Sequence, residues 1–73
     1  SVNLKDNIRI NTYNIVEFYL RPNGDMTDFR FLTKSGYYEL DDTTKETIEY
    51  AYSQYPRPKE KTLIRYNVFY NLR

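Results

Sequence analysis

Five carboxylates come nearest to forming a chemical constellation in this chain: Asp25 and Asp28 flank a turn, and Glu39, Asp41 and Asp42 gather just ahead of a helix-like pattern. Paired carboxylates can act as general acid and base, and clustered ones can hold a hard cation. Their neighbours support neither use. Asn23-Gly24-Asp25 lacks the ligand spacing of a calcium loop, and no base, nucleophile or glycine-rich phosphate cradle stands with either group. The chain has no His and no Cys, which removes the commonest general base, thiolate metal ligands and any disulfide. Turn and helix-cap roles account for all five carboxylates, so neither an enzyme nor a bound cofactor is expected.

The chain that must position these residues is short. Seventy-three residues make one domain, near the lower limit for an unstapled core, because so small a chain buries only about 60% of its unfolded surface. Eleven basic and ten acidic side chains give a net charge of +1, so no strong global field points to nucleic acid or an anionic membrane. Nine Tyr and four Phe make the chain unusually aromatic for its polarity. Tyr suits a small core with wet margins, since the ring buries while the hydroxyl stays hydrated. No apolar run approaches the roughly 20 residues needed to cross a bilayer, and no signal segment opens the chain. Ser rather than Met at position 1 suggests a piece of a longer protein.

Three segments alternate with the period of a strand. Tyr13 to Leu20 sets Val16, Phe18 and Leu20 on one face against Ile15, Glu17 and Tyr19 on the other. Arg21-Pro22-Asn23-Gly24-Asp25 supplies a hairpin turn, and Met26 to Lys34 returns with Phe29 and Phe31 opposite Asp28 and Arg30. Ser35-Gly36 ends that strand. Asp41, Asp42 and Thr43 read as helix caps, with Thr43 and Glu46 at capping-box spacing, and Leu40, Thr44, Ile48 and Tyr52, with Ala51 beside them, form one apolar stripe. Tyr55-Pro56-Arg57-Pro58 stops the helix. Thr62 to Arg73 then alternates again as a final strand.

Strand, strand, helix, strand with a right-handed crossover predicts an α+β fold: a three-stranded antiparallel sheet of order 2-1-3 covered on one face by a single helix. The predicted core is Val16, Phe18, Leu20, Phe29, Phe31, Ile48, Val68 and Tyr70. Residues 1–12 form an arm that fits neither period well, ahead of a domain over 13–73. The terminal strand should lie outermost, presenting unpaired N–H and C=O groups that a protein either guards or uses.

The ordered punctuation resembles the C-terminal periplasmic domain of the TonB family, the energy transducers of Gram-negative bacteria. The matching elements are Val16-Glu-Phe-Tyr-Leu20, Asn23-Gly24-Asp25, Met26-Thr-Asp-Phe-Arg-Phe31, Ser35-Gly36, Leu40-Asp41, Ile48, Tyr55-Pro56 and Val68-Phe-Tyr-Asn-Leu72, over roughly residues 13 to 72. The short helix with a Tyr-Pro pair that usually precedes the first strand of that family has no counterpart in Ser1 to Thr12. The resemblance implies a non-catalytic periplasmic module, anchored elsewhere in the inner membrane and driven there by an ExbB/ExbD-type motor. Such a module grips an extended peptide, the TonB box, at the plug of outer-membrane TonB-dependent receptors, in support of active uptake of siderophores or similar nutrients. It implies that the peptide adds as a strand beside Leu63, Ile64, Arg65, Tyr66, Asn67, Val68 and Phe69.

Other readings compete. A TolA-like envelope interaction domain shares the general architecture. A single-stranded nucleic-acid module would use Tyr19, Arg30, Arg65 and Phe69 on the helix-free face, but Glu17 and Asp28 share that face, the charge is near neutral, and no nucleic-acid partner is expected. A proline-rich ligand could be read in Tyr55 to Pro58, although so short a run between helix and strand is more often a stop. The free edge also makes a strand-swapped homodimer an expectation.

Overall fold

Alternation along the first strand dictates the architecture. Ile10, Asn14, Val16, Phe18 and Leu20 all point to one face of the sheet and are buried there, so this strand must be covered above and paired on both sides. The computed structural model describes residues 9–73 and does this with four elements: β1 (Ile10–Leu20), β2 (Met26–Thr33), α1 (Tyr38–Ser53) and β3 (Thr62–Leu72). The sheet order is β2-β1-β3 with both pairs antiparallel, the expected α+β arrangement. β1 starts at Ile10, so three residues of the arm left unassigned by the sequence belong to the sheet; residues 1–8 lie outside the described part.

The hairpin follows its turn chemistry. The Arg21 carbonyl accepts from Gly24 N–H at 2.9 Å, and Gly24 adopts φ 94°, a region that costs glycine nothing. Asn23 Oδ1 accepts from Asp25 N–H at 3.0 Å and rigidifies the exit. β2 then departs from simple alternation. Its register against β1 shifts twice, between Ile15 and Val16 and between Glu17 and Tyr19, and Asp28 takes φ 57° at the second shift. This bulge lets Met26 and Phe29, three residues apart, both pack on the core.

The core centres on Val16, Phe18 and Ile48, with Met26, Phe29, Phe31, Tyr52 and Ile64 packed around it. Phe18 stacks on Phe29 with centroids 5.6 Å apart and takes the edge of Tyr52 at 5.3 Å. Val68 and Tyr70, predicted for this core, are half-buried and lie outside the cluster. Their place in the register is beside Asn14 and Thr12, where the buried interior is polar. Tyr70 Oη bonds the Thr44 hydroxyl at 2.7 Å and donates to the Leu40 carbonyl at 3.3 Å.

The helix also starts earlier than its cap residues predict. It begins at Tyr38, its N-cap Tyr37 makes no side-chain cap bond, and the predicted capping box of Thr43 and Glu46 falls inside the helix. Asp41 faces inward instead. Its Oδ1 accepts from Ser35 N–H and from Asn14 Nδ2, both at 3.0 Å, so the carboxylate fastens the β2–α1 loop to β1. Leu40, Thr44 and Ile48 are buried along the predicted stripe and Tyr52 is half-buried, whereas Ala51 is exposed.

Asn14 is fully buried and also donates to Thr44 Oγ1 at 2.8 Å. Replacing Asn14 with Ala removes both donated bonds from a dry site, which should cost about 1–3 kcal/mol. Thermal unfolding should register this as a midpoint lower by about 4–8 °C per kcal/mol for a domain of this size. A variant melting within a degree of the parent would show that these bonds do not stabilise the fold.

Candidate functional site

The two margins of the sheet differ in kind. β2 is interrupted by two register shifts within eight residues, whereas β3 pairs with β1 through eleven consecutive residues, from Leu72 opposite Ile10 to Thr62 opposite Leu20. In a regular antiparallel strand every second residue directs its N–H and C=O away from the partner. Among the described residues no strand pairs with the outer side of β3, which leaves a long, uninterrupted row of backbone donors and acceptors.

The residues named from the sequence all lie on this strand and divide between its faces. Ile64, Tyr66 and Val68 lie on the helix side, opposite Phe18, Val16 and Asn14. Leu63, Arg65, Asn67 and Phe69 lie on the open side, opposite Tyr19, Glu17, Ile15 and Tyr13. Ile64 and Val68 are half-buried, and the other five are exposed, with Phe69 at 74%. The Phe69 ring leans on Tyr13 with centroids 5.9 Å apart, and Lys61 Nζ sits 4.4 Å above the Tyr19 ring.

Glu17 occupies the centre of the open side, and only 3% of it is exposed although no helix among the described residues covers that face. The cover is two arginines. Arg30 of β2 donates through Nε and Nη2 to Oε1, and Arg65 of β3 donates through Nε and Nη2 to Oε2 at 3.1 and 2.7 Å. Hydrogen bonds from Arg30 and then Arg65 hold the Glu17 carboxyl below its ordinary range despite its burial, and Glu17 in turn raises Arg30. One carboxylate therefore cross-links all three strands through charge-assisted bonds. The arginines proposed for nucleic-acid contact are thus committed within the sheet, while Asp28 serves at the bulge.

On the helix side, the Tyr66 hydroxyl is hydrogen-bonded to that of Tyr52 on α1. Burial, and then the Tyr66 phenol, push the Tyr52 hydroxyl well above its ordinary pKa. Asp41 balances two influences: burial raises its carboxyl, but the bonds from Asn14 and Ser35 outweigh this and hold it below the usual range.

Sequence reasoning placed the edge and missed its supports. Leu20 pairs with Met26 and Tyr19 with Thr27, so Glu17 meets Arg30 only because the bulge at Asp28 adds a residue to β2. The contributions of Asn14, Tyr13 and Tyr52 carry no local signal, because their partners are brought near only by the crossover.

A family model described as the Gram-negative bacterial TonB protein C-terminal matches residues 6–72, nearly the whole chain. No curated protein and no solved structure matches it.

The carboxylates give the fold a defined acid response. Glu17 and Asp41 both have folded-state pKa values below their unfolded ones, so their stabilisation is present above the unfolded carboxylate range, about pH 4, and fades as pH falls through the depressed values. Denaturant unfolding of the parent and of Glu17→Gln should therefore differ most near pH 7, with the parent more stable, and converge below about pH 4. A gap that stays constant from pH 7 to pH 3 would mean that the Glu17 charge is not the source of the difference.

Proposed function

The chain belongs to the family of TonB C-terminal domains, and from that premise we propose that it is a non-catalytic periplasmic module that binds an extended peptide of TonB-dependent outer-membrane receptors by strand addition along β3. The observation that carries this reading is the unbroken eleven-residue register of β3, whose outer side no strand among the described residues pairs. Main-chain hydrogen bonds supply the affinity in such a complex, and alternate side chains supply the selectivity. Leu63 to Phe69 are the residues that would flank the guest.

The same geometry favours β3 over β2. A bulge interrupts the ladder and bends the strand, which is one way natural sheets blunt an edge against pairing. β2 carries two such interruptions and β3 none. In this reading the module transmits force from an inner-membrane motor of the ExbB/ExbD type through a segment upstream of this chain, in support of uptake of siderophores or similar nutrients. The free edge is equally open to a second copy, which gives the expected strand-swapped dimer the same physical basis.

Titration of the isotope-labelled chain with a synthetic peptide from the plug of a TonB-dependent receptor tests the proposal. Amide shifts should concentrate on Leu63 to Phe69, and N-methylation of alternate peptide amides should abolish them in the phase whose N–H groups face β3. Shifts confined to α1, or unaffected by either phase of N-methylation, would defeat strand addition.

A further inference from the structure

At the middle of the proposed docking strand, Tyr66 joins two tyrosines of the helix and its exit, Tyr52 and Tyr55, that the docking reading does not use. Tyr52 and Tyr66 share a hydroxyl–hydroxyl hydrogen bond with ring centroids 6.2 Å apart, and Tyr55 lies 4.8 Å from Tyr52. The Tyr52 ring is braced from below by the edge contact with Phe18 in the core. Tyr66 nevertheless remains 40% exposed and Tyr55 59% exposed. The cluster is thus fixed at its base and open at its rim, beside the middle of β3.

Strand geometry decides what this rim would meet. A strand added beyond β3 sits about 4.8 Å away and sends its side chains alternately to the two faces. A residue directly across from Tyr66 would have its Cβ about 4.5–5.5 Å from the tyrosine's own, within contact of the ring. On the helix side its flanking neighbours are Ile64 and Val68, both apolar. On the open side the central neighbours are Arg65, already committed to Glu17, and Asn67. At the middle of the strand an apolar side chain is therefore favoured in the helix-facing phase of the guest, where the broadest ring surface is Tyr66; the apolar groups of the open side, Leu63 and Phe69, lie at the two ends of the docking stretch.

Resting on the strand-addition reading above, we propose that Tyr66, oriented by Tyr52 and bordered by Tyr55, is the specificity-determining residue of the β3 edge, selecting a bulky aliphatic side chain on the helix-facing side of an extended guest peptide. The hydroxyl pair turns the Tyr66 ring toward α1 and keeps its face available, while the wet phenol oxygens at the rim tolerate solvent around the guest. Tyr52 is a positioning residue in this scheme, because it acts on the guest through Tyr66.

Two synthetic heptapeptides test this with the full 73-residue chain: seven-residue threonine strands carrying either leucine or serine at the centre. The leucine peptide should bind roughly tenfold more tightly, the equivalent of burying about half a leucine side chain. Its methyl groups should show nuclear Overhauser contacts to the Tyr66 ring. In Tyr66→Thr the preference should collapse to within about twofold, and in Tyr52→Phe, which keeps both rings, it should fall by a few-fold while β3 amides still shift. Equal binding of both peptides at β3 by the parent would overturn the selectivity assignment and leave strand addition standing. A tenfold preference that survives Tyr66→Thr in a folded variant would also overturn it. If neither peptide nor a receptor-plug peptide shifts the β3 amides, strand addition fails and this inference with it.

Discussion

A buried amide joins the parts of this molecule that the chain leaves far apart. Asn14 lies midway along the central strand, on the helix side, where apolar packing alone would be expected. Its Nδ2 reaches Asp41 and Thr44 on α1, Thr44 passes the connection to Tyr70 on β3, and Asp41 holds the Ser35 N–H of the loop. Thr12 completes the ring by donating to the Ser35 carbonyl at 2.7 Å. A sheet of three strands under one helix has little apolar area with which to fix the position of the helix. Hydrogen bonds in a dry site are directional, and removing one partner leaves another unsatisfied, so they specify a single placement where packing would allow several. The apolar cluster of Val16, Phe18 and Ile48 then fills the other half of the interface.

The opposite face solves a related problem with charge. Without a second helix, β1 would expose its open side to water, and Glu17 would be an ordinary surface carboxylate. Arginines from both neighbouring strands close over it instead, so the centre of the sheet is held from above by amide and hydroxyl bonds and from below by guanidinium bonds. Both devices converge on β1, the one strand paired on both sides among the described residues. The margins of the sheet are left to differ: β2 pairs with two register shifts, and β3 pairs without a break.

Elements whose cause is local were legible in the sequence. Period-2 alternation marked all three strands, Asn23-Gly24 marked the hairpin, and the four-residue recurrence of Leu40, Thr44 and Ile48 marked the buried stripe of the helix. The topology followed from the crossover rule. Failures came where a residue with a strong local preference answered to a distant partner. Asp41 reads as a helix cap, yet its carboxylate is taken by Asn14 and Ser35, so the helix opens at Tyr38. Met26 and Phe29 are both apolar at a spacing no regular strand permits on one face; that mismatch was the visible trace of the bulge at Asp28. Asn14 gave no such trace, since nothing in its neighbourhood distinguishes a buried amide from an exposed one.

The same separation of local and distant causes bears on how an edge can be selective. Backbone pairing of the proposed guest along β3 would be nearly indifferent to sequence, because apart from proline every residue offers the same N–H and C=O groups. In the proposed complex discrimination would come from side chains, and at the centre of the open side Arg65 is bound to Glu17. Enlisting Arg65 for a guest would withdraw a ligand from the carboxylate that joins the strands, setting binding against stability. The helix side carries no such conflict. Tyr66 and Tyr55 have exposed ring surface whose bases are already braced by Tyr52 and Phe18, so covering that surface adds contact without breaking any. An interface built as proposed would gain selectivity on the face where the fold has surface to spare and leave the centre of the other face to hold the sheet together.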